Sequence, residues 1–361
     1  MRWAAGLGVS PSLPAVHEEM ANLLAAFSAA LADGSAEEAL RLVVALRGPL
    51  NDISLPSGAL SALTGALAQV QDRALKSRAS TLLGVLSFHA GRGAEAVALV
   101  AQALALAGAD PALRGTALHA DATVRWRADR NAEGLIEQLD EAQALAETQR
   151  DLELLASINA LRAYIANVRD RDFVRGEALH RQSLQIWERT GNRQAINSGR
   201  YNLAICAFNG HRHAEALAQL DGVCATALAQ ADWQQLSQAH NVRGNALAAL
   251  RRWPEAVAAY RDSVRTSWGT AEVHALAYGL WNIPRSLAHV ARPEPAARVM
   301  GFAAHFWLSH FGTLADSDLA DLKRVQRLVA VQVGPARRAA LWAEGERLLL
   351  AEAVGLALAE R

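Results

Sequence analysis

Eleven histidines and two cysteines are the side chains of this 361-residue chain best suited to catalysis or metal binding. Their spacing argues against both. His211 and His213 flank Arg212 in a stretch that reads as a turn, and His305 and His310 stand five apart on a helical stretch, where they share no face. His17-Glu18-Glu19-Met20-Ala21 begins like a zinc-protease helix, but Ala21 stands where the second histidine is needed. Cys206 and Cys224 lack the CxxC spacing of a zinc or redox site, and neither sits beside an obvious histidine. Glu18/Glu19 and Glu37/Glu38 fall on first helical turns, where negative charge suits the helix dipole better than acid–base work. No G-x-S-x-G elbow and no phosphate-cradling G-x-x-x-x-G-K-[ST] loop is present. The expectation is a protein that is not an enzyme, with no cofactor and no metal site.

Composition points to what must position whatever the chain binds. Hydrophobic residues make up 52% of it, much of that alanine, and aromatics only 6%. Alanine is the strongest helix former, and the β-branched residues gather in no alternating run. With 36 basic and 36 acidic residues the formal charge is zero, and no strongly basic block stands out. Direct nucleic-acid contact is therefore not expected. The opening MRWAAGLGVSPSLPA lacks a signal-peptide core, and the uncharged residues 53–71 are too polar to span a bilayer. A cytoplasmic protein without a membrane partner is expected.

The clearest internal unit is Ala239 to Val264, AHNVRGNALAALRRWPEAVAAYRDSV. It reads as helix A, a turn and helix B. Gly244 lets the helices approach, Trp253-Pro254 open helix B, Ala256 is small at the crossing, and Tyr260 fills the space four residues on. Trp253, Ala256, Val257, Tyr260 and Val264 make one apolar stripe at helical spacing. Steps of about 40 residues from Ala256 recover the pattern at Ala216, Gly176, Gly134 and Ala96, then Ala39 after a longer interval, and Ala296 forward. Asp110, Asp151 and Asp232 are expected helix N-caps.

This pattern is tetratricopeptide-like. The fold expected is all-α, an α-solenoid of about seven TPR-like helix pairs wound as a right-handed superhelix, with A helices inside and a helical C-terminal cap. The organisation expected is a poorly ordered lead-in over 1–15, repeats over 16–311 and the cap over 312–361. Pro49 to Gly58 is read as an inter-helix loop.

The last segment, ALWAEGERLLLAEAVGLALAER, carries Trp342, Ala343, Glu344, Gly345, Leu348, Glu352, Ala353 and Val354. It resembles the ending of the tetratricopeptide region in bacterial transcription regulators of winged-helix or LuxR type built around a signal-transduction ATPase module. HEEMANLLAAFSAALADGSAEEALRLVVAL, with Glu18, Asn22, Leu23 and Ala26, resembles the stretch just after that module. The resemblance implies an effector-binding arm without the ATPase and DNA-binding domains, either a fragment of such a regulator or a free-standing paralogue.

On that reading the inner surface carries Arg78, His119, Trp126, Tyr201, Asn241, Asn245, Tyr278, Trp281 and Arg285. Asn side chains can bond both groups of an extended peptide backbone. Aromatics and Arg dominate interface energetics, and Arg suits a carboxylate. The partner expected is a protein or peptide, or a small-molecule effector held in the groove. The alternative is a structural scaffold that self-associates without ligand.

Overall fold

The computed structural model describes residues 19–46, 55–270, 273–310, 314 and 316–360. The expected lead-in over 1–15, and most of the Pro49–Gly58 loop, lie outside them. Among the described residues there are 18 α-helices and no strand, and the fold is the all-α, TPR-like helical repeat that the sequence leads one to expect.

Seven helix pairs follow one another. They are α1 (Met20–Ala32) with α2 (Ala36–Ala45), α4 (Arg73–His89) with α5 (Gly93–Ala107), and α6 (Pro111–Ala128) with α7 (Leu135–Gln149). Next come α8 (Leu152–Val168) with α9 (Phe173–Thr190), and α10 (Arg193–Asn209) with α11 (His213–Ala229). Last are α12 (Trp233–Ala249) with α13 (Trp253–Gly269), and α14 (Val273–His289) with α15 (Pro293–His310). A short α3 (Ser57–Ala66) stands between the first two pairs. The chain divides into two compact units, 1–199 and 200–361, the division falling inside α10.

Local chemistry sets the helix boundaries. The carboxylates of Asp72, Asp110, Asp151 and Asp232 accept backbone N–H groups of the first turns of α4, α6, α8 and α12. Each cap satisfies donors that the helix cannot, for about 1 kcal/mol. Between A and B helices one residue adopts a left-handed conformation: Gly91, Arg171, His211, Arg251 and Ala291 all have φ between 55° and 77°. At 91, 211, 251 and 291 the following N–H returns to a carbonyl five residues back, at 2.8–2.9 Å. This is a Schellman-type ending that turns the chain sharply. His211 is thus a turn residue.

B helices bury one stripe. The residues at steps of four, seven and eleven after the first are buried in α5 (Ala96, Val100, Ala103, Ala107), α9 (Gly176, His180, Ser183, Trp187), α11 (Ala216, Leu220, Val223, Ala227) and α13 (Ala256, Tyr260, Ser263, Ser267). In α7 the stripe is Leu135, Leu139, Ala142 and Ala146. The sequence anchor placed at Gly134 is therefore one residue early. Gly134 has φ 72° and precedes the helix as its N-cap.

In the second unit, three further helices follow the seventh pair: α16 (Asp316–Val333), α17 (Pro335–Gly345) and α18 (Leu350–Leu358). α16 packs on α14 and α15, and α17 packs on α15 and α16, so the tail begins as an eighth pair. α18 folds back onto α13, α14 and α15. Its C-terminal carbonyls are gripped there: Arg261 Nε donates to Ala357 O at 3.1 Å, Arg292 Nη1 donates to Ala359 O at 2.6 Å, and Arg261 Nη2 also donates to Ala359 O.

The tail residues that resemble the regulator ending are accounted for by packing. A Cβ on Gly345 would lie 2.2 Å from the Arg298 carbonyl, and one on Gly301 would lie 2.6 Å from the Trp342 carbonyl. The two glycines thus let α15 and α17 cross backbone to backbone. Glu344 accepts from Arg298 Nε at 2.7 Å, and Glu352 caps α18 by accepting the Leu349 N–H at 2.8 Å. Ala353 and Val354 are buried.

Candidate functional site: a polar face on α12 and α14

Six of the nine expected inner-surface residues lie in the second unit. Neighbouring helices α12 and α14 bring four polar groups onto one face. Asn282 Nδ2 donates to Asn241 Oδ1 at 2.9 Å, tying the two helices together. One turn along α12, Asn245 Oδ1 accepts from the Tyr260 hydroxyl at 2.7 Å. That bond exists because Gly244 has no side chain: a Cβ there would stand 2.5 Å from the Tyr260 ring. Burial above all, and then the charge of Asp321, pushes the Tyr260 phenol pKa up, against Arg285. The phenol therefore stays a neutral donor. Asn245 keeps both amide N–H donors for another partner.

Arg285 stands beside this pair. Its guanidinium carbon is 5.5 Å from the centroid of the Trp253 ring, and Trp253 stacks on His289 at 3.8 Å and 11°. Among the described residues Arg285 forms no ion pair, and its Nε is buried without a hydrogen bond. Its pKa is lowered, first by burial and then by the neighbouring Arg324, with Asp321 and Tyr260 opposing. Asp321, the carboxylate that acts on it, is itself paired with Arg324 at 2.7 Å, so the half-buried guanidinium has no ion pair of its own among the described residues. An incoming carboxylate is the natural complement, since the guanidinium fork presents two parallel donors.

Aromatic side chains form a second cluster on α14 and α15. Tyr278 meets His274 at 4.9 Å and Trp307 at 5.0 Å, both edge-on, and Trp281 is 6.0 Å from Trp307. Tyr278 is 41% exposed, whereas Trp281 is buried at 7%. Tyr201 on α10 is half-buried against Ala204, Leu220, Val223 and Ala239.

The other three expected residues lie in the first unit. Arg78 on α4 is exposed. His119 on α6 is half-buried, and its pKa falls to about 4, chiefly through burial. Trp126 on α6 is 2% exposed in the core with Ala122, Leu135 and Leu139, and Arg130 lies 4.8 Å over its ring. The expectation that Trp126 faces a ligand is thereby corrected: it is a core residue. The residues 40, 80, 120 and 160 further on, Ala166, Cys206, Ala246 and Ser286, are all buried too. That register is visible in the sequence and would have assigned Trp126 to packing.

Sequence reasoning missed Asn282, Tyr260 as a hydrogen-bond donor, and the Trp253–His289 stack. It also missed a Cys–His contact, for Cys224 Sγ lies 3.9 Å from His240 Nδ1. Burial pushes the Cys224 thiol up to about 11, and burial lowers the His240 pKa. Both groups are neutral near pH 7, which is the reverse of an activated thiolate–imidazolium pair. Among the described residues, no three His, Cys, Asp or Glu side chains group so as to hold a metal ion. No helix there is long and apolar enough to cross a membrane.

No protein-family model and no curated protein matches this chain. Solved structures do. One is a signal transduction ATPase with numerous domains, from Pyrococcus horikoshii, that has a tetratricopeptide repeat sensor: TM-score 0.59, 13% identity, 92% of this chain and 50% of that one. This chain thus spans about half of that protein's length. Another is a Rap protein complexed with competence and sporulation factor: TM-score 0.53, 13% identity, 94% of each chain. A third is the apo quorum sensor NprR from B. thuringiensis: TM-score 0.51, 10% identity, 91% of this chain and 99% of that one. At such identities the likeness is one of fold.

Proposed function

We propose that this chain is a non-enzymatic interaction or effector-sensing domain, and that the α12–α14 face of its second unit takes an extended peptide carrying a carboxylate. Arg285 carries the reading: it is half-buried, lies over the Trp253 ring and forms no ion pair among the described residues. Asn241, Asn245 and Asn282 supply amide donors and acceptors of the kind a peptide backbone needs. Tyr201 and the exposed Tyr278, in the same unit, are further candidate contacts, whereas Trp281 is buried in the core and is not one. The names of the solved neighbours support a sensing role, since they include a repeat sensor, a quorum sensor and a repeat protein complexed with a signalling factor. The tail resemblance supports a place in bacterial transcriptional or signal regulation. In that setting the ligand acts by favouring one conformation of the repeats over another, by no more than its differential affinity for the two.

Hydrogen exchange in the presence of pooled random pentapeptides tests the proposal. Slower exchange over α12 and α14, abolished by Arg285→Ala, is expected; protection elsewhere alone would overturn it. Exposed Trp268, Val273, Tyr278 and Leu308 favour a second reading, self-association through an apolar edge. Light scattering over a dilution series decides that reading, and a constant monomer mass removes it.

A further inference from the structure

A different part of the second unit holds a cavity of about 520 Å3 between α16 and α17. Four cationic side chains line it: Lys323, Arg324 and Arg327 from α16, and Arg338 from α17. Among the described residues no carboxylate does. Elsewhere arginines are commonly matched within a turn or across a crossing, as with Arg41–Glu37, Arg252–Glu255 and Arg298–Glu344. Here only Arg324 is paired, with Asp321 at 2.7 Å. Lys323, Arg327 and Arg338 have no ion pair among the described residues, and the Arg338 Nε is buried without a hydrogen bond.

This concentration of one sign contrasts with a chain whose formal charge is zero overall. Lys323 and Arg327 stand four apart on one helix, a spacing at which like charges repel. Nothing in the packing rewards that arrangement, since Lys323, Arg324 and Arg327 are exposed. A terminal repeat needs a polar outer face, but both signs would serve for that. An anion seated between the four groups turns the repulsion into attraction.

Size and charge narrow the anion. The volume lies within the range of about 300–1,000 Å3 typical of small-molecule sites. An extended acidic peptide presents side chains on one face about 7 Å apart, two strand steps. Adjacent phosphates of an oligophosphate lie closer together and carry more charge. Guanidinium forks bind their oxygens in pairs, with lysine as a point charge beside them. Leu319, Ala320 and Ala330 add apolar lining, and Gln326 an amide.

We propose that this cavity binds the oligophosphate group of a small molecule, as in a nucleoside di- or triphosphate. Its lining includes none of the α12–α14 residues, although Arg324, which lines it, acts on Arg285. Titration calorimetry with sodium tripolyphosphate at low salt tests it, with ATP as a second arm and hexaglutamate as a third. The protein should bind tripolyphosphate, more weakly as salt rises. Lys323→Ala/Arg327→Ala/Arg338→Ala should weaken binding at least about tenfold with unchanged circular dichroism. Should that variant fail to fold, Arg327→Gln alone, at an exposed position, should weaken it about threefold. ATP binding at least as tightly as tripolyphosphate assigns the source to a nucleotide; tripolyphosphate binding more tightly assigns it to free oligophosphate. Absence of tripolyphosphate binding, equal binding by protein and variants, or tighter binding of hexaglutamate would each overturn the proposal.

Discussion

The α8/α9 pair of the first unit and the α12/α13 pair of the second solve the same packing problem in opposite ways. Where helix B crosses helix A, α9 places Gly176 and α8 brings Asn167 against it, leaving no room for a Cβ. Four residues on, His180 is buried and meets the Tyr164 ring edge-on at 5.3 Å. In α12/α13 the glycine is on helix A instead: Gly244 makes way for the ring of Tyr260, the counterpart of His180. The first pair hides its polar groups in the crossing. The second fills the crossing with a ring and delivers the ring's hydroxyl to Asn245 on α12. The repeat thus tolerates exchange of large and small residues across the crossing, and in these two pairs the polar groups lie in different places as the direction of exchange differs.

The largest expected effect breaks the second arrangement. Gly244→Ala should cost about 3 kcal/mol in denaturant unfolding, because the Tyr260 ring must leave its position. Adding Tyr260→Leu should recover most of that, since leucine occupies the same step at Leu139 and Leu220. If the double variant is as unstable as the single one, the exchange account fails.

The first arrangement breaks with acid. Burial holds the His180 pKa near 4 in the folded protein, against 6.5 when free. The unfolded chain therefore takes up the extra proton between those values. The stability that His180 retains is whole above pH 6.5 and drains away as pH falls toward 4. His180→Leu should remove this dependence and improve stability at pH 5, relative to pH 7, by about 2 kcal/mol in urea melts. An unaltered pH profile would show that the imidazole is reached by solvent.

A smaller effect concerns the tail. Arg261→Ala removes bonds to the last carbonyls of α18 and should lower stability by about 1.5 kcal/mol, with faster exchange of the α18 amides. The smallest sharpens the candidate site. Asn282→Ala unlocks Asn241 and should cost about 1 kcal/mol, while leaving the Tyr260–Asn245 bond intact.

Much of the fold was legible because its determinants are local. Asp110, Asp151 and Asp232 cap helices in sequence and in structure for the same reason: each carboxylate needs only the next three residues. The anchor at Gly134 slipped by one because residue size was read on helix B alone, whereas the crossing depends on what helix A brings to it. Trp126 looked like a binding aromatic until its register was compared with buried Ala166, Cys206 and Ala246. The clamp of Arg261 and Arg292 on α18 joins residues 67 to 98 apart, and no helical periodicity reports it. Of the candidate site, Asn241, Asn245 and Arg285 were readable as polar residues on a helix meant to be inward. That Tyr260 and Asn282 complete the group depends on the pairing of separate helices.

The central claim is that Arg285 receives a carboxylate, and affinity selection from two peptide pools tests it most directly. Random pentapeptides with free C-termini and the same pool with amidated C-termini would be captured on immobilised protein and on its Arg285→Ala variant. The account predicts enrichment of free-carboxylate or acidic sequences on the protein, lost on the variant. Enrichment that is the same for both proteins, or none from either pool, would contradict it.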